Sequence, residues 1–199
     1  ALRDVNRPES PVKDPGELPK KITTAQAIQQ VTGYAPPAIW FPYNKVGASP
    51  TGIACDQTGG KFGPFENQLF IGEFTYAFVS RVFLEQVDGE YQGACFKFHE
   101  GLQSAGFSML FHPDGFLIVG ETNRGWNSLG TRSFGLQRLV WTGKTPFEFL
   151  SMEAKPDGFV LKFTEPVDPA LASKADAWSM SSYTHLYHAT YGSGEVETE

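Results

Sequence analysis

The sequence predicts an all-β fold built from short strands in stacked sheets, on three observations. The chain holds 21 Gly and 14 Pro among 199 residues, enough to interrupt any long helix repeatedly. From about Trp40 to Gly143 it runs as apolar stretches of strand length separated by turn residues. Within Val79-Ser80-Arg81-Val82-Phe83-Leu84 the apolar and polar residues do not alternate cleanly, which marks strands covered on both faces.

The N-terminal segment, residues 1–36, reads as an extended arm. Its opening, ALRDVNRPESPVKDPGELPKK, is charged, rich in Pro and without periodicity. A short helix is expected in ITTAQAIQQVTG, with Thr24 as its cap and Gly33 as its stop. APPAIWFPY then forces extended backbone, and Trp40, Phe41 and Tyr43 read as a packed strand rather than a stacking platform.

Six strands follow between residues 37 and 145: NQLFIGEF, VSRVFLEQV, YQGACFKF, FSMLFH, GFLIVGE and LQRLVWTG. Asp88-Gly89 is a strong hairpin signal, and Pro113-Asp114-Gly115 marks a second turn. Beyond residue 146 the pattern changes. Phe159, Leu161 and Phe163 alternate with Val160, Lys162 and Thr164 as a half-buried strand, and a helix can start at Pro169. Tyr183, His185 and Tyr187 share one face of a further strand. Residues 146–199 are therefore expected to be the opening strands of an Ig-like β-sandwich.

Composition narrows the function classes. The chain is 41% apolar and 14% aromatic, as a globular protein is. A net charge of -6 with no Lys/Arg cluster argues against nucleic acid or an anionic membrane as partner. No apolar run approaches the roughly 20 residues needed to span a bilayer. The chain begins with Ala1 rather than Met, consistent with a processed product. Cys55 and Cys95 can pair or remain free thiols, and they are too few for a zinc or c-type haem motif.

SPTGIACDQTGGKFGPFENQLFIGEF, VSRVFLE and LFHPDGFLIVGETN resemble the last blades of PQQ-dependent aldose and sorbosone dehydrogenases, which are six-bladed β-propellers. YQGACF, NRGW, FGLQRLVWTGKTPFE and PDGFVLKFTEPVDP are similar to planctomycete-type membrane-bound dehydrogenase propeller proteins. The resemblance implies a partial β-propeller of about two blades over residues 37–145, a periplasmic or extracellular location, and pyrroloquinoline quinone (PQQ) with calcium as cofactors. A blade uses roughly 40 to 50 residues and a ring needs at least four blades. Two blades leave faces and edges open, so the remainder of a propeller or other subunits of a larger complex are the expected partners.

The site residues depart from the family pattern. The arginines that hold the quinone's carboxylates align with Ser108 and Leu110, and a cofactor-side lysine aligns near Glu73. No cofactor and no catalytic residue are therefore expected in this chain; PQQ and calcium return only if the dehydrogenase reading holds. His99, His112, His185 and His188 read as ordinary surface or strand histidines. For a ligand or partner, the residues of choice are Glu121, Asn123, Arg124 and Trp126, an acid, an amide, a guanidinium and an indole in one loop. The bland alternative is a local Glu121–Arg124 pair with Trp126 anchoring the loop. Backbone carbonyls at Gly63 and Pro64 are the calcium candidates.

Overall fold

The computed structural model describes residues 22–30, 36–188 and 192–197. The first part of the arm and Gly33 lie outside the described residues. The fold is all-β, with antiparallel sheets, none closed, and two short helices. Contacts divide the chain into two units, Ala1–Pro37 with Asp176–Glu199, and Ala38–Ala175. This grouping runs across the boundary after residue 145 read from the sequence.

In the larger unit, β1 (Pro50–Cys55), β2 (Leu69–Glu73), β3 (Phe78–Val87) and β4 (Glu90–Glu100) form a four-stranded meander. β5 (Gly106–His112), β6 (Phe116–Thr122) and β7 (Phe134–Val140) form a three-stranded one. β8 (Phe149–Lys155) and β9 (Gly158–Phe163) make a separate hairpin. The turn chemistry follows the sequence. Asp88 and Gly89 both take left-handed backbone, at φ 50° and 88°, as a tight hairpin turn requires. Gly115 sits at φ 92° and its N–H donates to the His112 carbonyl across 2.9 Å.

Two strands of the larger unit do not follow from the sequence pattern. β1 carries Pro50 and Gly52, both poor strand residues, and is placed by pairing with β2 around a register shift. β8 reads Phe-Leu-Ser-Met-Glu-Ala-Lys, with no β-branched residue, so propensity gave no signal and pairing with β9 decides it.

The two sheets enclose a Phe-rich core. Ala54, Phe70, Val79 and Phe98 meet Met109, Phe111, Leu117, Val119 and Leu139, with Phe62 and Phe65 inserted from the β1–β2 loop. Phe62 packs edge-on against Phe70 and Phe111 at centroid distances of 5.5 and 5.1 Å. The other face of the first sheet is covered by residues 40–49. Ser80 donates to the Val46 carbonyl, and the buried Glu73 carboxylate accepts the N–H groups of Ala48, Ser49 and Tyr76. Both faces of β3 are thus covered over Phe78–Val82, the buried half of the strand.

Cys55 and Cys95 are free thiols. They lie on the two outermost strands of one sheet, about 14 Å apart by strand spacing. That exceeds the roughly 7 Å a disulfide tolerates between Cα atoms.

In the smaller unit α1 (Thr24–Gln30) and the short pair β10 (Tyr183–His185) and β11 (Glu195–Glu197) are described. The helix cap is Thr23, not Thr24. Thr23 Oγ1 accepts the Gln26 N–H, and Gln26 Oε1 accepts the Thr23 N–H in return, a capping box that places Thr24 inside the first turn. Thr24 instead bonds Thr184 through the two hydroxyls at 3.2 Å. α2 (Pro169–Ala172), in the larger unit, starts where the sequence suggests, capped by Asp168.

The β8–β9 hairpin is held by Arg81 on β3. Its guanidinium is fully buried, with the Phe65 and Phe96 rings each 4.5 Å away. It donates to Gln68 Oε1 and to the Phe149 and Leu150 carbonyls, and Glu148 lies 3.9 Å away. Burial lowers its pKa to about 10, which leaves it charged at neutral pH. Arg81→Ala should cost about 3–5 kcal/mol, because the facing carbonyls are left unpaired and a cavity opens. Urea unfolding measures the loss, and limited proteolysis should show cleavage within residues 141–148 that the parent resists.

Candidate functional site

The loop from Asn123 to Ser133 joins β6 to β7. It is tied down by backbone bonds: Asn123 N–H to Ser133, Leu129 N–H to Thr75 and Arg132 N–H to Gln103. Gly125 turns the chain at φ 89°, and Gly130 sits so close to Ser104 that a Cβ there would lie 2.4 Å from its Cα. The result is a cleft of about 390 Å³ lined by Asn123, Gly125, Trp126 and Asn127. Trp126 is 58% exposed, so its ring offers a stacking surface beside two amides. The Arg124 guanidinium makes no ion pair among the described residues.

Of the four residues chosen from the sequence, Asn123 and Trp126 meet in this cleft and Arg124 lies between them in the chain. Glu121 does not join them. It points into the protein, where Oε2 accepts the Ser104 N–H at 2.7 Å and Oε1 is buried without a partner. The Glu121–Arg124 pair therefore does not form. The reason is register: Glu121 shares the inward face of β6 with Leu117 and Val119.

A second depression, about 350 Å³, runs between β1 and β5 and includes Cys55, Gln57, Thr58, Leu110 and His112. Its lining carries no Arg or Lys, and Lys61 is engaged by the Pro113 carbonyl at 2.8 Å. Ser108 and Leu110, the positions that align with the quinone-binding arginines, carry no cation. Neither fits a carboxylate-bearing quinone. His112 stacks on Phe116 at 4.4 Å and its Nδ1 accepts the Asp114 N–H at 3.2 Å, a turn residue in its own small cluster.

Gly63 and Pro64, the calcium candidates, lie in the loop between β1 and β2. Gly63 turns at φ 107° beneath the Trp141 indole. The two acids nearest in sequence are engaged elsewhere: Asp56 accepts both Thr58 donors and Glu66 accepts the Gly60 N–H. Among the described residues no three His, Cys, Asp or Glu side chains are grouped where they could hold a metal ion together.

The feature that sequence reasoning missed is a surface. Met109, Phe111, Leu117, Val119 and Leu139 face the core, so alternation sends their neighbours to the opposite face of the second sheet. There Phe134 is 76%, Leu136 74%, Leu110 64% and Val140 57% exposed. The alternating Phe134-Gly135-Leu136-Gln137-Arg138-Leu139-Val140 carries this signal, but which half faces the core depends on the register with β6.

Burial pushes the Glu121 carboxyl above the usual glutamate range, opposed by the Ser104 N–H. The fold then binds this proton more tightly than the unfolded chain does. The associated stability is present at acid pH and is lost as pH rises from the ordinary value of about 4.3 through the raised folded one. Glu121→Gln keeps an acceptor for Ser104 and removes the charge. Its urea stability should gain on the parent across that window and stay ahead at neutral pH; an unchanged difference at every pH would show that Glu121 is not desolvated.

Compared with known protein families, with curated proteins and with solved structures, the chain matches none.

Proposed function

We propose that this chain is a non-catalytic structural and interaction part of an extracytoplasmic β-propeller protein with sugar-dehydrogenase ancestry. In this reading the two meanders are blades, the hairpin after them opens an Ig-like sandwich, and the partner is the remainder of a propeller or another subunit. One observation carries it: the open apolar face of the second sheet, formed by Leu110, Phe134, Leu136 and Val140. Contiguous apolar surface of this kind is costly in water and marks an interaction site. On the first sheet, by contrast, residues 46–49 bond over the outer face at Glu73 and Ser80.

The alternative of a C-terminal part of a PQQ-dependent sugar or sorbosone dehydrogenase draws nothing from the lining of the β1–β5 depression. A carbohydrate- or peptide-binding propeller has a specific observation in its favour, the Asn123–Trp126 cleft with its exposed indole and two amides. No helix among the described residues is long and apolar enough to cross a membrane.

Light scattering alongside intact mass spectrometry tests the interaction role. The purified chain should run above its 21.9 kDa mass, alone or with companions, and Leu136→Glu should return it toward that mass. A monodisperse 21.9 kDa particle that binds no hydrophobic dye would sink the reading. For the cleft, Trp126→Ala should abolish retention on a glycan array; retention that survives the substitution places sugar binding elsewhere.

A further inference from the structure

We propose that the outer edge of β7 accepts a fourth strand: an extended, alternately apolar segment of a partner chain, antiparallel to Phe134–Val140, with a carboxylate facing Arg138. This rests on the interaction role above and specifies its partner. The first sheet has four strands, the second three, and among the described residues no strand pairs with β7 on its far side.

The hydrogen-bond pattern shows which groups of β7 are open. Asn123 N–H donates to the Ser133 carbonyl, while Thr122 N–H donates the other way, to Ala105. Antiparallel pairs alternate, so Gly135, Gln137 and Leu139 exchange bonds with Glu121, Val119 and Leu117. Phe134, Leu136, Arg138 and Val140 then aim their N–H and C=O groups at the open edge. The same four residues carry the exposed face. Backbone donors and acceptors and an apolar row thus coincide on one strand, which is what strand addition uses for affinity and side-chain selectivity.

Soluble proteins blunt free edges with Pro, Lys, inward charges or bulges. β7 has none of these. Its seven pairs with β6 run without a register shift, whereas β1–β2, β3–β4, β5–β6 and β8–β9 each contain one. Its single charge is Arg138, which lies 5.0 Å over the Phe116 ring and makes no ion pair among the described residues.

That arginine selects the occupant. If two copies paired β7 with β7 antiparallel through these outward residues, Arg138 would face Phe134, Leu136, Val140 or the other Arg138. No register supplies a carboxylate. A partner strand with Glu or Asp in its apolar row supplies one, and cross-strand opposite charges stabilise a pair.

Residue-resolved amide exchange on the full chain tests this, with a synthetic probe of about nine residues alternating Val and Thr, one central Val replaced by Glu. Saturating probe should slow exchange at Phe134, Leu136, Arg138 and Val140 by about tenfold or more, leaving Gly135, Gln137 and Leu139 unchanged. Lys in place of the probe's Glu should weaken binding about fivefold. Leu136→Pro should abolish it and Leu136→Ala only weaken it, because proline deletes an outward donor while sparing the bonds to β6. Persisting protection at Gly135, Gln137 and Leu139 certifies that the proline variant is folded. Strand addition is overturned if the probe protects none of the four amides, if it binds the proline and alanine variants alike, or if the four are protected without probe, which would mean self-pairing. A larger native particle that persists in Leu136→Pro would keep the interaction role and remove the fourth strand.

Discussion

The larger unit depends on a single buried cation. Arg81 sits at the middle of β3, between two phenyl rings, and holds the backbone of a hairpin that no strand of the first sheet pairs with. Gln68 and Glu85 repeat the device on either side: Gln68 donates to the Leu150 carbonyl and Glu85 accepts the Ala154 N–H. Three side chains thus do for β8 what a neighbouring strand would do. A buried guanidinium is stable only where its donors are met, and its Nε, left without a partner, shows how close that balance is. Replacing the cation removes both the charge and the reason for the hairpin to lie there.

The same accounting of faces explains the asymmetry of the two sheets. Each has two faces: two meet at the Phe core, and the outer face of the first sheet is covered around Glu73 and Ser80 by residues 46–49. That cover is secured by Glu73, whose carboxylate takes three backbone N–H groups that would otherwise be buried without acceptors. The second sheet has no such cap among the described residues. Its fourth face is therefore where chemistry of recognition can reside, because an uninterrupted strand pairing there carries a row of exposed apolar side chains.

Strand existence was legible where β-branched or aromatic residues lay between strong turn signals, as in Phe78–Val87 with Asp88-Gly89 behind it. The helix was legible too, although its cap fell one residue earlier than Thr24. What the sequence did not reveal is orientation. Register shifts interrupt four of the strand pairings, and each one exchanges the faces on which later side chains lie. Glu121 illustrates the consequence: four residues from Gly125, it reads as part of a polar loop, yet its register on β6 turns it inward. β8 was invisible because propensity was silent and its anchors, Arg81, Gln68 and Glu85, are 65 or more residues distant.

The buried ionisable groups share one habit, and it bears on what the unit can do. Arg81 meets carbonyls, Glu73 meets N–H groups, Asp56 closes on Thr58 and Glu121 on Ser104. Each meets backbone or a local turn, although Glu121 keeps one oxygen unpaired and its carboxyl is raised by burial. A site for a carboxylate-bearing ligand needs the opposite: cations held ready but not yet matched. Within the larger unit the one fully buried cation is already engaged. Unmatched cationic groups instead occur at the surface, at Arg124 beside the cleft and Arg138 on the open sheet. Arg138 lies over the Phe116 ring and Arg124 is two residues from the exposed Trp126, and arginine and aromatic side chains are the residue types that interfaces enrich.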